Sequence, residues 1–577
     1  MKSTLRVSAV LLITGSLALG VNAQSSQSSA ALYNLQPLSD VAVHQVPAIN
    51  RAAVQLEDEM RLEVGEPPRF AIPYQVDINF VDTATWSLTS DDVAVGRLRV
   101  KAPQAVSLNL GFGEFDLPHQ AKVLVHSSLD LALQMRPFTA ADNDAHGELW
   151  TPVLLTDDLV IEVTLPRSQT KDLRLTLTQI GYGYRGFGDP TAAESGSCNV
   201  DVVCPEGDDW QNEIPSVGVI SLGGSTFCTG FLVNNTAGDG TPFFMTADHC
   251  GVRASNAASL VVYWNFENST CRTPGSGSSG GNGNGSLSEF SSGSTFRAGR
   301  STSDFTLVEL DDDPSAFGVT YSGWDRSGVD ATSAIAIHHP NTDEKRISFE
   351  DQPTTTTSYL GNGIPGDGSH VRVTDWDLGT TEPGSSGSPL FDQNHRIIGQ
   401  LHGGFASCSS QTSDWYGKFS RSWTGPNSAT RLSDWLDPIG SGALTVDTLS
   451  DSASVTFRNG GSNPASYAAL NLPKIGSTFL TTVDLVGTTG HNLALVIGYT
   501  SSLTVTLGGG QELLVNITDP GGEVLGLAAL AGPIAGFVLA IPNDSSLSGV
   551  EVYTQAAHFG GVVPFALGNA LDLVLGF

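Results

Sequence analysis

The sequence predicts a mainly β protein made of several all-β units. Short runs that alternate apolar and polar residues, such as Val123 to Leu133 and Leu159 to Leu165, are typical of half-buried strands. Turn-forming residues are frequent, with 64 Gly and 29 Pro, and no long amphipathic helical pattern is found. The length of 577 residues indicates three or four folded units rather than one core.

Composition excludes several classes of function. The chain has 28 Lys and Arg against 59 Asp and Glu, which gives a formal net charge of −31. This charge repels nucleic acid and anionic lipid, and it favours cationic substrates or partners. Because 40% of the residues are hydrophobic and only 15% are charged, neither a coiled coil nor a disordered polymer is predicted.

Residues 1–23 are predicted to be a secretory signal peptide. The basic residues Lys2 and Arg6 precede an apolar stretch that runs to Gly20, and small residues before Gln24 form a cleavage site. The mature protein is therefore expected to be secreted and extracellular.

A second apolar run, Val524 to Ile541, is 18 residues long and must be weighed as a membrane span. Its glycines and Pro533 interrupt it, and no Lys or Arg follows Lys474 as a flanking anchor. We therefore expect no membrane span, but two buried strands around a turn at residues 531–533.

Three regions follow the signal peptide. Residues 24–195 are predicted to be an N-terminal β-rich, propeptide-like domain, residues 196–440 a central domain, and residues 441–577 a C-terminal β-rich accessory domain. The segment Gly186 to Ser197 is predicted to be an exposed linker, and the tract Gly275 to Gly283 a flexible surface loop.

All six cysteines lie between residues 198 and 408 and outline the central domain. An even number in an exported chain indicates three disulfides, and many pairings are open, although Cys228 and Cys250 flank a plausible pair of adjacent strands. A metal site is the weaker interpretation, because no CxxC spacing occurs. No metal or other cofactor is expected.

Three motifs in this domain carry catalytic chemistry. His249 follows an apolar strand and precedes Cys250, while Asp304 precedes a buried strand, where its carboxylate needs a strong partner such as an imidazole N–H. Ser386 lies between Gly384 and Gly387, in a turn whose backbone N–H groups can face an oxyanion. The order His249, Asp304, Ser386 is the chymotrypsin order of a Ser-His-Asp triad.

Each motif alone has a structural explanation: a buried histidine, a surface aspartate and a Gly-Ser loop. Together, their order and the disulfide-bonded setting predict the triad. An α/β-hydrolase needs a G-x-S-x-G motif, and the literal match at residues 277–281 lies in the predicted flexible loop.

Longer motifs surround these residues: CNVDVVCPEGD at 198–208, VYWN at 262–265, IAIHHP at 335–340, TEPGSSGSP at 381–389, GQLHGG at 399–404 and RLSDWLDP at 431–438. Together they resemble the bacterial lysyl endopeptidases over about residues 196–440. The resemblance implies a secreted trypsin-like serine protease. Its fold would be a chymotrypsin-like double β-barrel protease domain flanked by N-terminal and C-terminal all-β domains.

The resemblance also implies residue roles. Ser386 would be the nucleophile, His249 the base and Asp304 its orienting partner, with the N–H groups of Gly384 and Ser386 as the oxyanion hole. Asp414 would lie at the base of the specificity pocket and pair with a substrate ammonium, with an exposed loop aspartate as the alternative. The implied disulfides are Cys198–Cys408, Cys204–Cys271 and Cys228–Cys250.

His402 is expected to line the substrate cleft. In the family a tryptophan stacks against this histidine; here Tyr359 or Leu360 is nearest, and Trp376 belongs to another segment. Cleavage after arginine as well as lysine therefore stays open. Adjacent strand residues project to opposite faces, so His338 and His339 are interpreted as structural rather than as a metal pair.

The expected function is hydrolysis of peptide bonds after lysine in protein or peptide substrates. A catalytically silent adhesion or carbohydrate-binding protein on the same scaffold is the alternative. The N-terminal domain would assist folding, block the cleft or act as a permanent binding module. The C-terminal domain would serve attachment, surface retention or passive stabilisation.

Overall fold

The structure is a computed structural model. It describes residues 33, 35–63, 65–89, 92–187, 195–449, 453–459, 461–475, 477–484, 492–518, 522–529, 534–542, 547, 550–560 and 565–576. The predicted signal peptide and the predicted turn at residues 531–533 lie outside these ranges. Within them, no helix has the length and apolar character needed to cross a bilayer.

The N-terminal region is built from two sheets. Its strands are β1 (Val43–Gln45), β2 (Ala71–Asn79), β3 (Thr85–Leu88), β4 (Val93–Lys101), β5 (Ser107–Asp116), β6 (Lys122–Ser127), β7 (Phe138–Thr139), β8 (Leu149–Trp150), β9 (Asp158–Pro166) and β10 (Arg174–Gly183). One sheet has the order β1-β4-β9-β6-β7 with β3 added to β4, and the other has the order β2-β10-β5-β8. A shared apolar core lies between them.

Two helices interrupt these strands, α1 (Arg51–Glu63) and α2 (Phe80–Thr83). The 13-residue helix α1 was not predicted. Its buried positions are Val54 and Asp58, whereas Leu56 and Met60 are exposed, so the apolar residues do not mark the buried face. A helix of this kind has no amphipathic signature to detect.

The central region contains two larger sheets. Its strands are β11 (Val200–Asp201), β12 (Val217–Leu222), β13 (Thr226–Leu232), β14 (Phe243–Ala247), β15 (Leu260–Tyr263), β16 (Phe290–Ser292), β17 (Ser294–Arg300), β18 (Phe305–Leu310), β19 (Trp324–Asp325), β20 (Ala334–His338), β21 (Arg346–Glu350), β22 (Thr355–Thr357), β23 (His370–Val373), β24 (Pro389–Asp392), β25 (Ile397–Gly404), β26 (Asp414–Lys418) and β27 (Thr445–Val446). Two short helices follow β26, α3 (Phe419–Ser422) and α4 (Ser433–Leu436).

The first of these sheets has the order β16-β15-β12-β13-β14-β18-β17. The second has the order β11-β21-β20-β24-β25-β26-β23-β22, with β19 beside β25 and β27 beside β19. The pairings are antiparallel except for β19 on β25, and one apolar cluster contains residues of both sheets. The predicted chymotrypsin-like double β-barrel is confirmed by this arrangement.

Three disulfides tie the central region together with the pairing that the resemblance implies. They join Cys198 to Cys408, Cys204 to Cys271 and Cys228 to Cys250. The third links β13 to the short turn that follows β14.

The C-terminal region has strands in three further sheets. They are β28 (Ser454–Arg458), β29 (Tyr467–Ala469), β30 (Thr478–Asp484), β31 (Leu493–Tyr499), β32 (Ser502–Thr506), β33 (Glu512–Val515), β34 (Glu523–Ala529), β35 (Ile534–Ala540), β36 (Glu551–Phe559) and β37 (Phe565–Val574). The sheet orders are β28-β37-β36-β31-β34, β29-β30-β35 and β32-β33. The predicted all-β character of this region is confirmed.

The apolar run Val524 to Ile541 does form two strands, β34 and β35, but the prediction that both are buried was wrong. They belong to different sheets, and Leu527 and Val538 are 66% and 71% exposed. Each strand covers the core with one face only, so half of its apolar side chains point outward.

The predicted exposed linker, Gly186 to Ser197, was wrong at both of its described ends. Phe187 is fully buried, with its ring 4.7 Å from that of Phe70, and Ser195 is buried against Asp343. Residues 188–194 lie outside the described ranges. The Gly275 to Gly283 tract is a loop that lies mostly at the surface, as predicted, but it is anchored at one point: Ser279 is fully buried and its carbonyl accepts a bond from Arg346.

Candidate active site

The predicted triad residues come from both central sheets. His249 lies in the turn after β14, and Asp304 directly precedes β18, the neighbour of β14. Ser386 lies in the turn before β24, in the other sheet. The site therefore lies between the two sheets, where the ends of several strands meet.

His249 and Asp304 form a close pair. His249 Nδ1 lies 2.9 Å from Asp304 Oδ2, and the backbone N–H of His249 donates to Oδ1, also at 2.9 Å. Gln400 Nε2 donates to the carbonyls of Ser303 and Asp304 at 2.8 and 3.0 Å. These bonds fix the carboxylate so that it orients the imidazole ring.

Asp304 adopts a left-handed conformation, with φ of +50°. Aspartate tolerates this region better than most residues. Burial is the largest single influence and disfavours the imidazolium of His249, but the charge and hydrogen bond of Asp304, together with the charge of Asp248, outweigh it, so the pKa of His249 is raised above its ordinary value. The pair is thus arranged to accept a proton at Nε2.

The turn that carries Ser386 depends on two glycines with positive φ, Gly384 at +97° and Gly387 at +84°. A β-carbon on Gly384 would meet the ring of Phe227, and one on Gly387 would meet Thr246. Thr229 holds the turn at two points. Its Oγ1 donates to the carbonyl of Gly384 at 2.9 Å, and its backbone N–H donates to the carbonyl of Ser386 at 2.8 Å.

A cavity of about 480 Å³ opens over this turn. His249, Gly384, Ser386, His402 and Asp414 all line it, so the structure brings together every predicted substrate-contacting residue. The cavity is large enough for one long side chain and part of a peptide backbone.

Asp414 lies at the buried end of this cavity and is 1% exposed, which excludes the exposed-loop alternative. Its Oδ2 accepts bonds from Trp376 Nε1 at 2.8 Å and Thr381 Oγ1 at 2.7 Å. Its Oδ1 has no hydrogen-bond partner among the residues that the structure describes. Burial raises the pKa of Asp414 above its ordinary value, and the bonds from Trp376 and Thr381 and the nearby backbone N–H of Ala406 oppose that shift.

His402 lies between two aromatic neighbours. The ring of Tyr359 stacks on it at 3.6 Å between centroids with planes 4° apart, and the ring of His249 lies 5.3 Å away. Burial lowers the pKa of His402 to about 4, so the ring is neutral at pH 7. Tyr359 therefore occupies the stacking position for which the sequence offered Tyr359 or Leu360.

Several residues of the site were not found from the sequence. His370 Nε2 lies 2.9 Å from His402 Nδ1, and Trp376 and Thr381 hold Asp414. No local motif marks His370 or Trp376, and Thr381 begins the TEPGSSGSP motif without any sign of its bond to Asp414, because each acts through a contact between distant segments. The histidines at 338 and 339 are fully buried, and their contacts are described below.

The N-terminal region reaches into the same cavity. Leu62, in the last turn of helix α1, and Gly65–Pro68, just after the helix, form part of its lining. Next to the cavity, the N–H of Phe227 donates to the carbonyl of Pro68 at 3.0 Å, and Arg69 pairs antiparallel with Thr226. The segment Gly65–Pro68 therefore lies over the predicted catalytic residues.

The described part of the chain contains two clusters of side chains, apart from the disulfide cysteines, that could bind a metal ion. In each cluster the possible ligand atoms lie within 4.8 Å of one another. One set, His249, Asp304 and His402, is the site itself, where these atoms already contact one another. The other, Asp144, His146 and Asp311, joins the N-terminal and central regions, with His146 Nε2 3.1 Å from Asp311 Oδ2.

Comparison with known families gives two matches. The family described as the lysyl endopeptidase N-terminal domain matches residues 34–184, and the family described as the lysyl endopeptidase C-terminal domain matches residues 192–417. A curated relative, the lysyl endopeptidase of Pseudomonas aeruginosa strain PAO1, is 30% identical over 392 residues. That match covers 62% of this chain and 79% of the relative.

Among solved structures, a Glu endopeptidase in complex with MPD is 19% identical. The match covers 36% of this chain and 85% of that one, with a TM-score of 0.24. The secreted serine protease VesC from Vibrio cholerae is 14% identical, covering 63% of this chain and 69% of that one, with a TM-score of 0.25.

Proposed function

Since this chain belongs to the lysyl endopeptidase family and is therefore a serine endopeptidase, we propose that it cleaves peptide bonds after lysine through Ser386, His249 and Asp304. The observation that carries the specificity is the buried carboxylate of Asp414, whose Oδ1 lacks a partner among the described residues. An unpaired buried charge is costly, and the ammonium of a substrate lysine would pair with it.

The geometry of Asp414 favours lysine over arginine. Oδ2 already accepts bonds from Trp376 and Thr381, so one oxygen is left for the substrate. A lysine ammonium is a compact point charge that one oxygen can accept, whereas an arginine guanidinium is best matched by two oxygens side by side. The difference between the two oxygens of Asp414 therefore supports cleavage after lysine rather than arginine, a choice that the sequence left open.

In the proposed reaction, His249 and Ser386, which line the same cavity, act together. His249 Nε2 takes the proton of the Ser386 hydroxyl as its oxygen attacks the peptide carbonyl, and Asp304 stabilises the resulting imidazolium. The N–H groups of Gly384 and Ser386 receive the oxyanion. His249 then gives the proton to the leaving amine, and water, deprotonated in the same way, releases the acyl group from Ser386.

We further propose that the N-terminal region is a propeptide that blocks the cleft. The segment Gly65–Pro68 supports this role because it lines the same cavity as Ser386 and His249. It contains no lysine, and the side chain of Glu66 pairs with Arg61 at 2.5 Å. A peptide substrate would have to displace this segment.

An extracellular location is part of the same proposal. The three disulfides support it, because such bonds persist in oxidising compartments. The role of the C-terminal region is not assigned by any contact with the site.

A fluorophosphonate probe and a peptide library test the proposal together. The processed protein should form an adduct on Ser386 that is absent in Ser386→Ala, and the library should be cut after lysine. A silent binding protein would give no adduct. An adduct together with cleavage after residues other than lysine would overturn the specificity and leave the nucleophile intact.

A further inference from the structure

We propose that His338 is a positioning residue that holds the turn of the oxyanion donors in its working shape. This inference rests on the proposed roles of Gly384 and Ser386. His338 ends strand β20 and is fully buried behind that turn, away from the cavity lining. It contacts the residue between the two oxyanion donors, Ser385.

The ring of His338 bridges two serines. Its Nδ1 lies 2.8 Å from Ser385 Oγ, and its Nε2 lies 3.1 Å from Ser348 Oγ. Ser348, on the neighbouring strand β21, donates its hydroxyl proton to the carbonyl of Thr380 at 2.7 Å. A hydroxyl has one proton, so toward His338 the oxygen of Ser348 must accept.

The direction of each hydrogen bond that involves His338, Ser348 and Ser385 follows. His338 donates from Nε2 to Ser348, which leaves a lone pair on Nδ1. Ser385 therefore donates its hydroxyl proton to Nδ1, and its oxygen accepts the N–H of Glu382 at 3.2 Å. One tautomer of a neutral ring satisfies all of these groups.

The ring stays neutral over the working pH range of a secreted protease. Burial is the main cause that lowers the pKa of His338 to about 3, and the nearby charge of Arg346 acts in the same direction. The bond to Ser385 is therefore the same at every pH where His249 acts as a base.

The bond matters because the turn is short and its shape is unusual. The N–H of Ser385 donates back to the carbonyl of Glu382 at 2.9 Å, which closes the turn around Gly384. A rotated Ser385 would carry the adjoining peptide groups with it, including the N–H groups of Gly384 and Ser386. Oxyanion donors act only when they are aimed at the developing charge.

Four variants separate positioning from bulk packing. His338→Phe keeps a buried ring and removes both nitrogens. His338→Asn places an acceptor near the position of Nδ1, whereas His338→Gln places its amide near that of Nε2, so the first keeps the bond to Ser385 and the second does not. Ser385→Ala removes the hydroxyl that bonds to His338 and changes the packing least. It tests the same hydrogen bond if a histidine variant does not fold.

His339→Phe is the matched control. His339 is equally buried and next in sequence, but its Nδ1 lies 3.0 Å from the carbonyl of Asp343, and no described residue partners its Nε2. Its ring makes no bond to the turn. It should lose stability to a similar degree while kcat stays close to that of the unmodified enzyme.

Three quantities are measured on the processed enzyme: kcat on a lysine peptide, the inhibition constant of a peptide aldehyde ending in lysine, and that of n-butylamine. The aldehyde forms a tetrahedral adduct that needs the oxyanion donors, whereas butylamine needs only Asp414. We expect His338→Phe, His338→Gln and Ser385→Ala to lower kcat about tenfold or more, less than the loss from removing a donor outright. Aldehyde affinity should fall with kcat, and butylamine affinity should not change.

His338→Asn should recover most of the lost kcat. The inference would be overturned if every variant had the kcat of the unmodified enzyme. It would also be overturned if butylamine affinity fell as much as kcat. An unmodified enzyme that does not cut lysine peptides would instead refute the proposed function, so the two failures are distinguishable.

Discussion

Trp376 donates its indole N–H to Asp414 Oδ2 at 2.8 Å, whereas the other carboxylate oxygen of Asp414 accepts no side-chain hydrogen bond from the described residues. Thr381 donates to the same oxygen at 2.7 Å. Both bonds fall on one side of the carboxylate, which makes its two oxygens unequal. A symmetrical carboxylate would accept the fork of an arginine more readily.

Freeing Oδ2 should therefore relax specificity. In the double variant Trp376→Phe with Thr381→Val, we expect the ratio of kcat/KM for arginine over lysine peptides to rise about tenfold, which corresponds to roughly one hydrogen bond. Competing peptides that differ only in this residue give the ratio. Trp324→Phe removes a buried indole N–H bonded to Asn234 in another part of the domain and should leave the ratio unchanged.

Asp414→Asn should lower kcat/KM for lysine peptides by about a thousandfold or more, because the substrate ammonium would enter a buried pocket without a counter-charge. The substitution is nearly isosteric, so the fold should be kept. Asp434→Asn, which changes an exposed carboxylate on helix α4, is the control for the loss of one charge. An unchanged preference for lysine in a competitive mixture would show that the specificity charge lies elsewhere.

The pH profile should depend on Asp304. Its charge raises the pKa of His249 against the effect of burial, and the free enzyme is active only when His249 is unprotonated. In Asp304→Asn the pKa of His249 falls, so the acid limb of kcat/KM moves to lower pH, while kcat drops by about 10⁴. An acid limb that stays in place would mean that another group controls it.

The stack of Tyr359 on His402 predicts a further titration. Burial lowers the pKa of His402 to about 4, and Tyr359 covers one face of the ring. Tyr359→Ala opens that face to water, so we expect the pKa of His402 to rise toward its ordinary value, whereas Tyr359→Phe should keep it low. NMR titration of the histidine rings measures both, and equal values in the two variants would contradict the role of the stack.

Local sequence motifs were sufficient to select His249, Asp304 and Ser386 as the candidate triad, because each lies next to a strand end or in a glycine turn that its own neighbours determine. Residues that act through other residues were not predictable in this way. Trp376 lies 38 residues before Asp414, and His338 lies 47 before Ser385. Such pairs meet only after the sheets have formed.

The errors in fold have a similar origin. Phe187 was assigned to a linker because Gly, Pro, Ala and Ser surround it in the sequence. A single aromatic ring can nevertheless anchor a polar segment when it fits an apolar pocket of the fold. That pocket includes Phe70 and Phe227, which belong to two different regions of the chain. Helix α1 was missed because its exposed face is as apolar as its buried one.

The segment over the cleft offers a gain-of-function test of the propeptide proposal. The carbonyl of Pro68 accepts a bond from the N–H of Phe227, whose ring lies against Gly384, and Gly65–Pro68 line the same cavity as Ser386. The segment resembles a bound peptide in this respect. Glu66 would repel Asp414, and the ring of Pro67 would hinder cleavage of the preceding bond.

Changing both features should convert the segment into a substrate. In the full chain carrying Glu66→Lys and Pro67→Ala, we expect self-cleavage directly after residue 66, seen as a new fragment terminus by mass spectrometry. The same pair of changes in a Ser386→Ala background should give no cut, which excludes other proteases. If the active double variant is not cut there but processed enzyme still cleaves lysine peptides, the segment does not lie in the cleft as a substrate does, and the N-terminal region must act in another way.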